Sequence, residues 1–409
     1  MTMRGKFWIW IAGGGLALAG LSGSFVASLD HPAIDYFRRD TADAVAKLQE
    51  RIRQGGVVLE FHPEFGYLPA VLRELHVPES SQVLVFSKTS FQAPKISPRL
   101  PRAIYFNDRV SVGYVRRGDV LEVAAVDPRQ GPVFYTLDQR KVMTPQFDRQ
   151  DQCLQCHQSS ATYGVPGLVV RSVLPDRDGF PQLHLGSTVV DERTPLADRW
   201  GGWYVTGKSG AHLGNAVTEG RDKGADFAQP RNLNLATLRP RIDPEHYLRP
   251  TSDVMALLVL EHQTHATNVL TRANYEARHA AHYEKEMNQL FGDPAGKPHP
   301  TSERRRRDAA EEIANVLTFQ GEAKWDVPVE GTPEFVRAFE AGGPRALRRL
   351  DGRHRLFQGG VSYLIHSAQF DALPADIQEL VWRRLHDAKI EREPLCGAGS
   401  NAPRWFCQP

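Results

Sequence analysis

The texture of the chain changes once along its length, and that change limits the folds open to it. Between residues 83 and 190 the sequence runs in short β-prone stretches, at 83–86, 103–106, 120–126, 133–135 and 168–170, punctuated by Pro, Gly and Asp. From Ser252 onward the pattern is helical. Residues 252–291 open on a capping residue and stop at Gly292, with Pro294 close behind, and 305–317, 333–340 and 376–389 read as further helices. An earlier helix is expected over 34–53, with Tyr36, Phe37, Val45, Leu48 and Ile52 as apolar positions and Gly55-Gly56 as its end. Strands followed by helices predict an α+β protein, with a β-rich N-terminal half and a helical C-terminal half. The 409 residues suffice for one large core or two ordinary ones. The expected segments are 1–29, 30–245, 246–392 and a tail at 393–409.

Charge excludes one class of partner. Lys and Arg number 50 against 48 Asp and Glu, a formal charge of +2, so there is no electrostatic case for nucleic acid. The basic run at 304–307 is followed by Asp308, Glu311 and Glu312 and reads as a solvated helix start. The N-terminus differs from the rest. Arg4 and Lys6 precede residues 7–29, which hold no charge, and this is the layout of an export signal. Val26-Ala27-Ser28 offers a cleavage site after Ser28, yet the stretch is also long enough to remain as a membrane anchor. Either way the expected location is the periplasm, free or anchored in the inner membrane.

The chain has four cysteines, and in an oxidising compartment each needs an account. Cys153-Leu154-Gln155-Cys156-His157 fits Cys-x-x-Cys-His. Two thiols at this spacing can add to the two vinyl groups of a haem, and the adjacent His reaches the iron. A zinc site lacks its second half, since Cys396 and Cys407 are spaced too widely. No βαβ unit surrounds the motif as a thioredoxin-like redox pair would require, and the spacing is poor for a structural disulfide. The pentapeptide resembles that of c-type cytochromes, and the chain as a whole resembles large exported bacterial proteins that carry a single such motif. That resemblance implies one covalent haem c held by Cys153 and Cys156, with His157 as proximal ligand. The match to c-type cytochromes covers residues 153–157 only. The surroundings are unlike a small class I cytochrome c, whose Met ligand follows some tens of residues on, whereas here the next Met is Met255. Cys396 and Cys407 are left to pair with each other, a bridge worth roughly 3 kcal/mol by loop-closure entropy.

The second face of the iron decides between carrier and catalyst. Candidates for a second ligand are His184, His212, His262, His265, Met255 and Met287. At helical spacing Met255, Val259, His262, Ala266, Val269 and Ala273 share one stripe, with His262 near its centre. A buried imidazole needs a partner, which is either an ordinary hydrogen bond, the commoner outcome for a lone His, or the iron, and His262 is the leading candidate for the distal side. Trp200, Trp203 and Tyr204 could wall a haem pocket, and Arg149 and Arg171 could pair with propionates. The expected function is a periplasmic monohaem protein moving electrons to a periplasmic or membrane redox partner. The alternatives are a haem enzyme of peroxidase or oxygenase type with an open distal site, or a haem-based sensor.

Overall fold

The structure, a computed structural model, describes residues 27–218, 229–239, 241–396 and 400–408. Most of the expected export segment lies outside these residues. No helix among the described residues is long and apolar enough to cross a membrane.

The fold is α+β. Two helices, α1 (Ala44–Arg53) and α2 (Leu68–Glu74), lead into strands β1 (Val83–Val85), β2 (Arg102–Phe106), β3 (Val110–Tyr114), β4 (Val120–Asp127), β5 (Gly131–Asp138) and β6 (Phe147–Arg149). These form an antiparallel sheet in the order β6-β5-β4-β3-β2-β1, with a later strand, Trp203–Tyr204, on the outer edge of β1. The β4–β5 hairpin is pinned at its turn, where the Asp127 carboxylate accepts the backbone N–H groups of Arg129 and Gln130 at 2.9 and 2.8 Å. Gly131 follows at φ +74°, a conformation other residues adopt only with strain.

Side chains alternate across this sheet, and its two faces do different things. Leu84, Ala103, Tyr105, Val112, Leu121, Val123 and Leu137 pack against α1 and α2 in one apolar core. The opposite face carries Arg102, Ile104, Ser111, Gly113, Glu122, Ala124, Phe134 and Thr136. Its small side chains leave room, and a cavity opens there. The far wall of that cavity comes from the helical half. After the motif helix α3 (Leu154–His157) and a two-stranded ribbon of Arg171–Val173 with Ser187–Val189, the chain enters α4 (Val254–Phe291). Asp253 caps α4 by accepting the Ala256 N–H at 3.0 Å, worth about 1 kcal/mol. Gly292 ends it at φ +67°. Helix α5 (Pro300–Leu317) packs along α4, and the apolar face of α4 belongs to a second core with α5 and the helix Ala375–Asp387.

Two local expectations change. Helix α1 begins at Ala44, because Asp43 caps the N–H groups of Val45 and Ala46, and Asp35 upstream sits at φ +53°. Residues 168–170 are not a strand: Asn268 holds the backbone of Leu168, and pairing starts only at Arg171. The Cys-x-x-Cys-His motif itself lies on a single helical turn.

Cys396 and Cys407 are disulfide-bonded, their Cα atoms 5.6 Å apart. The bridge fastens Phe406, which is fully buried against Trp382 with ring centroids 4.9 Å apart. Mass spectrometry of an unreduced digest should recover the Cys396–Cys407 crosslinked peptide. Reduction should then lower unfolding stability by roughly 3 kcal/mol, and free thiols at both positions in native protein would refute the pairing.

Candidate functional site around His157

The Cys-x-x-Cys-His pentapeptide lies on the wall of the sheet-face cavity. Cys153 caps α3 and Cys156 follows within its turn, so the two thiols, three residues apart, share one face of it. Both are free thiols, Cys153 half-buried and Cys156 exposed. Burial pushes the Cys153 thiol above its ordinary pKa, with the Glu122 carboxylate adding to the effect. The cavity measures about 580 Å³, within the range usual for cofactor sites. Its wall includes both thiols, His157, Phe134, Trp203, and Leu260 and Thr264 of α4.

His157 is held in one tautomer. Its Nδ1 lies 2.9 Å from the carbonyl oxygen of Gly167. A carbonyl only accepts, so Nδ1 carries the proton and Nε2 keeps its lone pair. Burial lowers the imidazole pKa, outweighing the Gly167 hydrogen bond that favours the charged form, so the ring stays neutral at neutral pH. The Gly167 N–H donates back to the His157 carbonyl at 2.8 Å. Helix α4 completes the support: the Asn268 side chain accepts the Leu168 N–H at 2.9 Å and donates to the Leu168 carbonyl at 2.8 Å. A Cβ on Gly167 would fall 2.5 Å from Asn268 Oδ1 and 2.6 Å from the Thr162 Cβ, so only glycine fits. Phe134 packs on the imidazole, ring centroids 4.7 Å apart. A neutral imidazole with one ring N–H on a backbone carbonyl and the other nitrogen open is the arrangement metal-ligating histidines adopt.

The donor set therefore fits a c-type haem: two thiols, one oriented imidazole, aromatic walls and room. Cationic groups are present too. Arg102 pairs with Glu122 at 2.6 Å, and Lys88 donates to the carbonyl oxygens of Ala93 and Ile96; both side chains reach the cavity.

Several sequence expectations fall elsewhere. His262 does not line the cavity. Its Nε2 is 2.7 Å from Ser362 Oγ and its ring packs on Phe319, in the second core. One ring nitrogen of the imidazole thus has a partner, and that partner is a hydroxyl rather than a cavity ligand. Helix α4 does lie along the cavity, but the face it turns there carries Leu260 and Thr264. His265 bonds Glu192, His212 lies against Trp200, Met255 packs in the second core, and neither His184 nor Met287 reaches the cavity wall. Of the three aromatics, Trp203 is a wall residue. Trp200 is buried on Glu261, and Tyr204 points through the opposite face, its hydroxyl on the Pro98 carbonyl. Arg149 stacks over Tyr36 and Arg171 is exposed, so neither reaches the cavity. The support that sequence missed is Gly167, Asn268 and Phe134; a Gly ten residues past the motif was the only visible trace.

His212 yields a pH prediction. It is fully buried, and its Nδ1 accepts the Gly214 N–H at 3.0 Å, a bond that protonation would break. Burial pushes its pKa down to about 4 from 6.5. The unfolded chain takes up the proton first, so this contribution is present above pH 6.5 and is lost as pH falls through 4, a change of about 3 kcal/mol. Denaturant melts at pH 7 and pH 4 should show that loss, and His212→Phe should shrink the difference. An unchanged difference would place the acid sensitivity elsewhere.

No family model, curated protein or solved structure matches this chain.

Proposed function

We propose that this chain is an exported protein that holds one covalent haem c through Cys153 and Cys156, with His157 as iron ligand. Its role in this reading is single-electron redox work with a periplasmic or membrane partner. The observation that carries the proposal is the His157 ring, neutral and fixed by Gly167 beside two free thiols on a cavity of about 580 Å³. A bound haem would supply a one-electron centre. The chain's own residues do the rest: Gly167 and Asn268 orient the imidazole, Phe134 and Trp203 exclude water, and Arg102 and Lys88 offer positive charge to propionates.

One observation favours an open distal face over a carrier with two protein ligands. Among the described residues lining the cavity, His157 is the only histidine and there is no methionine. A haem held there would supply reactivity toward a small molecule, as in a haem enzyme or sensor.

Contacts at the end of the export segment support its retention as an anchor. Ala27 is buried, its N–H donates to the Gly164 carbonyl at 2.9 Å, and its own carbonyl accepts from Gln158 Nε2 at 2.7 Å. Cleavage after Ser28 would strip these contacts from the loop that follows the motif.

The test is to express the full chain with haem-attachment machinery and record spectra of the oxidised, reduced and carbon monoxide-treated protein. Haem colour that survives a denaturing gel supports the covalent reading, and a colourless band overturns it. Rapid carbon monoxide binding by the reduced protein supports the open face; a low-spin haem that resists it restores the two-ligand carrier.

A further inference from the structure

A second cluster of ligand-type side chains lies outside the cavity wall and draws on His265 of α4. Asp191, Glu192 and His265 each offer one ligand atom, and these atoms all lie within 4.8 Å of one another. Glu192 and His265 are buried, with Glu192 Oε1 2.7 Å from His265 Nδ1. An independent observation points to a ligand here. His262, 0% exposed, has its Nε2 occupied by Ser362, while its Nδ1 makes no hydrogen bond and is aimed at Glu192 Oε2, 3.5 Å away. Glu192 Oε2 is likewise buried without a hydrogen bond. At 3.5 Å the two face each other in a loose ion-pair contact without a regular hydrogen bond, and buried polar atoms left so are uncommon.

We propose that Asp191, Glu192 and His265 bind a divalent first-row transition ion, with His262 bracing the far oxygen of Glu192. The mixed set, one imidazole and two carboxylates, suits Zn²⁺, Mn²⁺ or Fe²⁺ rather than a thiophilic ion. The backbone of the site is pre-set. The Thr194 N–H donates to the Asp191 carbonyl at 3.1 Å, and the Glu192 carbonyl accepts from Ala323 N–H and Arg199 Nη2 at 3.0 and 3.1 Å. Two guanidinium groups stand near. Arg199 is neutralised by Glu261 at 2.5 Å, whereas Arg193 sits on Asp191. The Arg193 side chain is 47% exposed, so it can turn out to solvent when a metal takes the Asp191 oxygen. Coordination by His265 Nδ1 moves the imidazole proton to Nε2, and the His265–Glu192 hydrogen bond and the Arg193–Asp191 pair give way to bonds to the metal.

The site is separate from the haem motif, so the two readings fail independently. The full chain is stripped with EDTA, loaded with Zn²⁺ or Mn²⁺, passed through a desalting column and assayed for metal. One equivalent per chain is expected. His262→Ala should weaken binding about 10- to 100-fold, as loss of an outer-shell partner does. Asp191→Asn, at the more exposed rim where folding is least at risk, should weaken it too, and Glu192→Gln should abolish it. Binding must survive Cys153→Ser with Cys156→Ser. Metal-free wild type after loading overturns the proposal. So does metal that leaves with the two thiols, or metal that stays in folded Asp191→Asn and Glu192→Gln at wild-type affinity.

Discussion

Cys153→Ser combined with Cys156→Ser is expected to convert a haem-stained band into a colourless one. Among the described residues lining the cavity, the two thiols are the only groups able to form thioether bonds, and both reach it from one turn of α3. Each single variant should keep colour through one remaining bond, at reduced yield. His157→Ala separates attachment from ligation. The band should stay coloured while the visible spectrum shifts, because the thioether chemistry is untouched and the iron loses its imidazole. Asn268→Ala acts one layer further out. It removes both hydrogen bonds to Leu168 and loosens the Gly167 carbonyl, so the imidazole orientation should broaden without loss of attachment. A double serine variant that still carries denaturation-resistant haem would refute the motif as the attachment point.

The largest stability effect is expected at Glu261, next to His262 on α4. Its carboxylate is fully buried and bonds Arg199 Nη1 at 2.5 Å and the Trp200 indole N–H. Arg199 is equally buried, and its Nε and Nη2 donate to the Thr194 and Glu192 carbonyls. This tie fastens the 192–200 loop to α4. Glu261→Ala leaves the guanidinium without a counter-charge in a dry site, and breaking such a pair costs about 3–5 kcal/mol. Against a typical total of about 5–15 kcal/mol, that is a large fraction of the stability. Arg199→Met with Glu261→Leu should recover much of the loss, since two apolar side chains remove both charges together. Denaturant midpoints of the two variants decide the matter. If Glu261→Ala unfolds within about 1 kcal/mol of wild type, the pair is not holding the loop.

Helices α4 and α5 and the helix Ala375–Asp387 were legible because caps and periodic apolar residues are local signals, read over a few neighbours. Strands β1, β2, β4 and β5 were legible for the same reason. Strand β3 was not, because Ser111 and Gly113 interrupt its apolar pattern. Those same residues help to open the cavity, so the feature that hid the strand from composition is the one that makes the site.

His262 shows where periodicity stops. Its place on a buried stripe was correct, since it is 0% exposed, but a stripe has no knowledge of which neighbour it meets. The neighbour is Ser362, a hundred residues away, and α4 turns Leu260 and Thr264 to the cavity instead. The sequence by itself determined the α+β order, the main helices and the Cys153, Cys156 and His157 constellation, because each depends on spacing along the chain. The tertiary structure alone decided which sheet face is hollow, which carbonyl fixes His157, and that Glu192 meets His262 and His265. Gly167 lies only ten residues from His157, but the Asn268 brace on that loop and the contacts of Glu192 with His262 and His265 join segments 70 to 100 residues apart, which only the packed fold brings together.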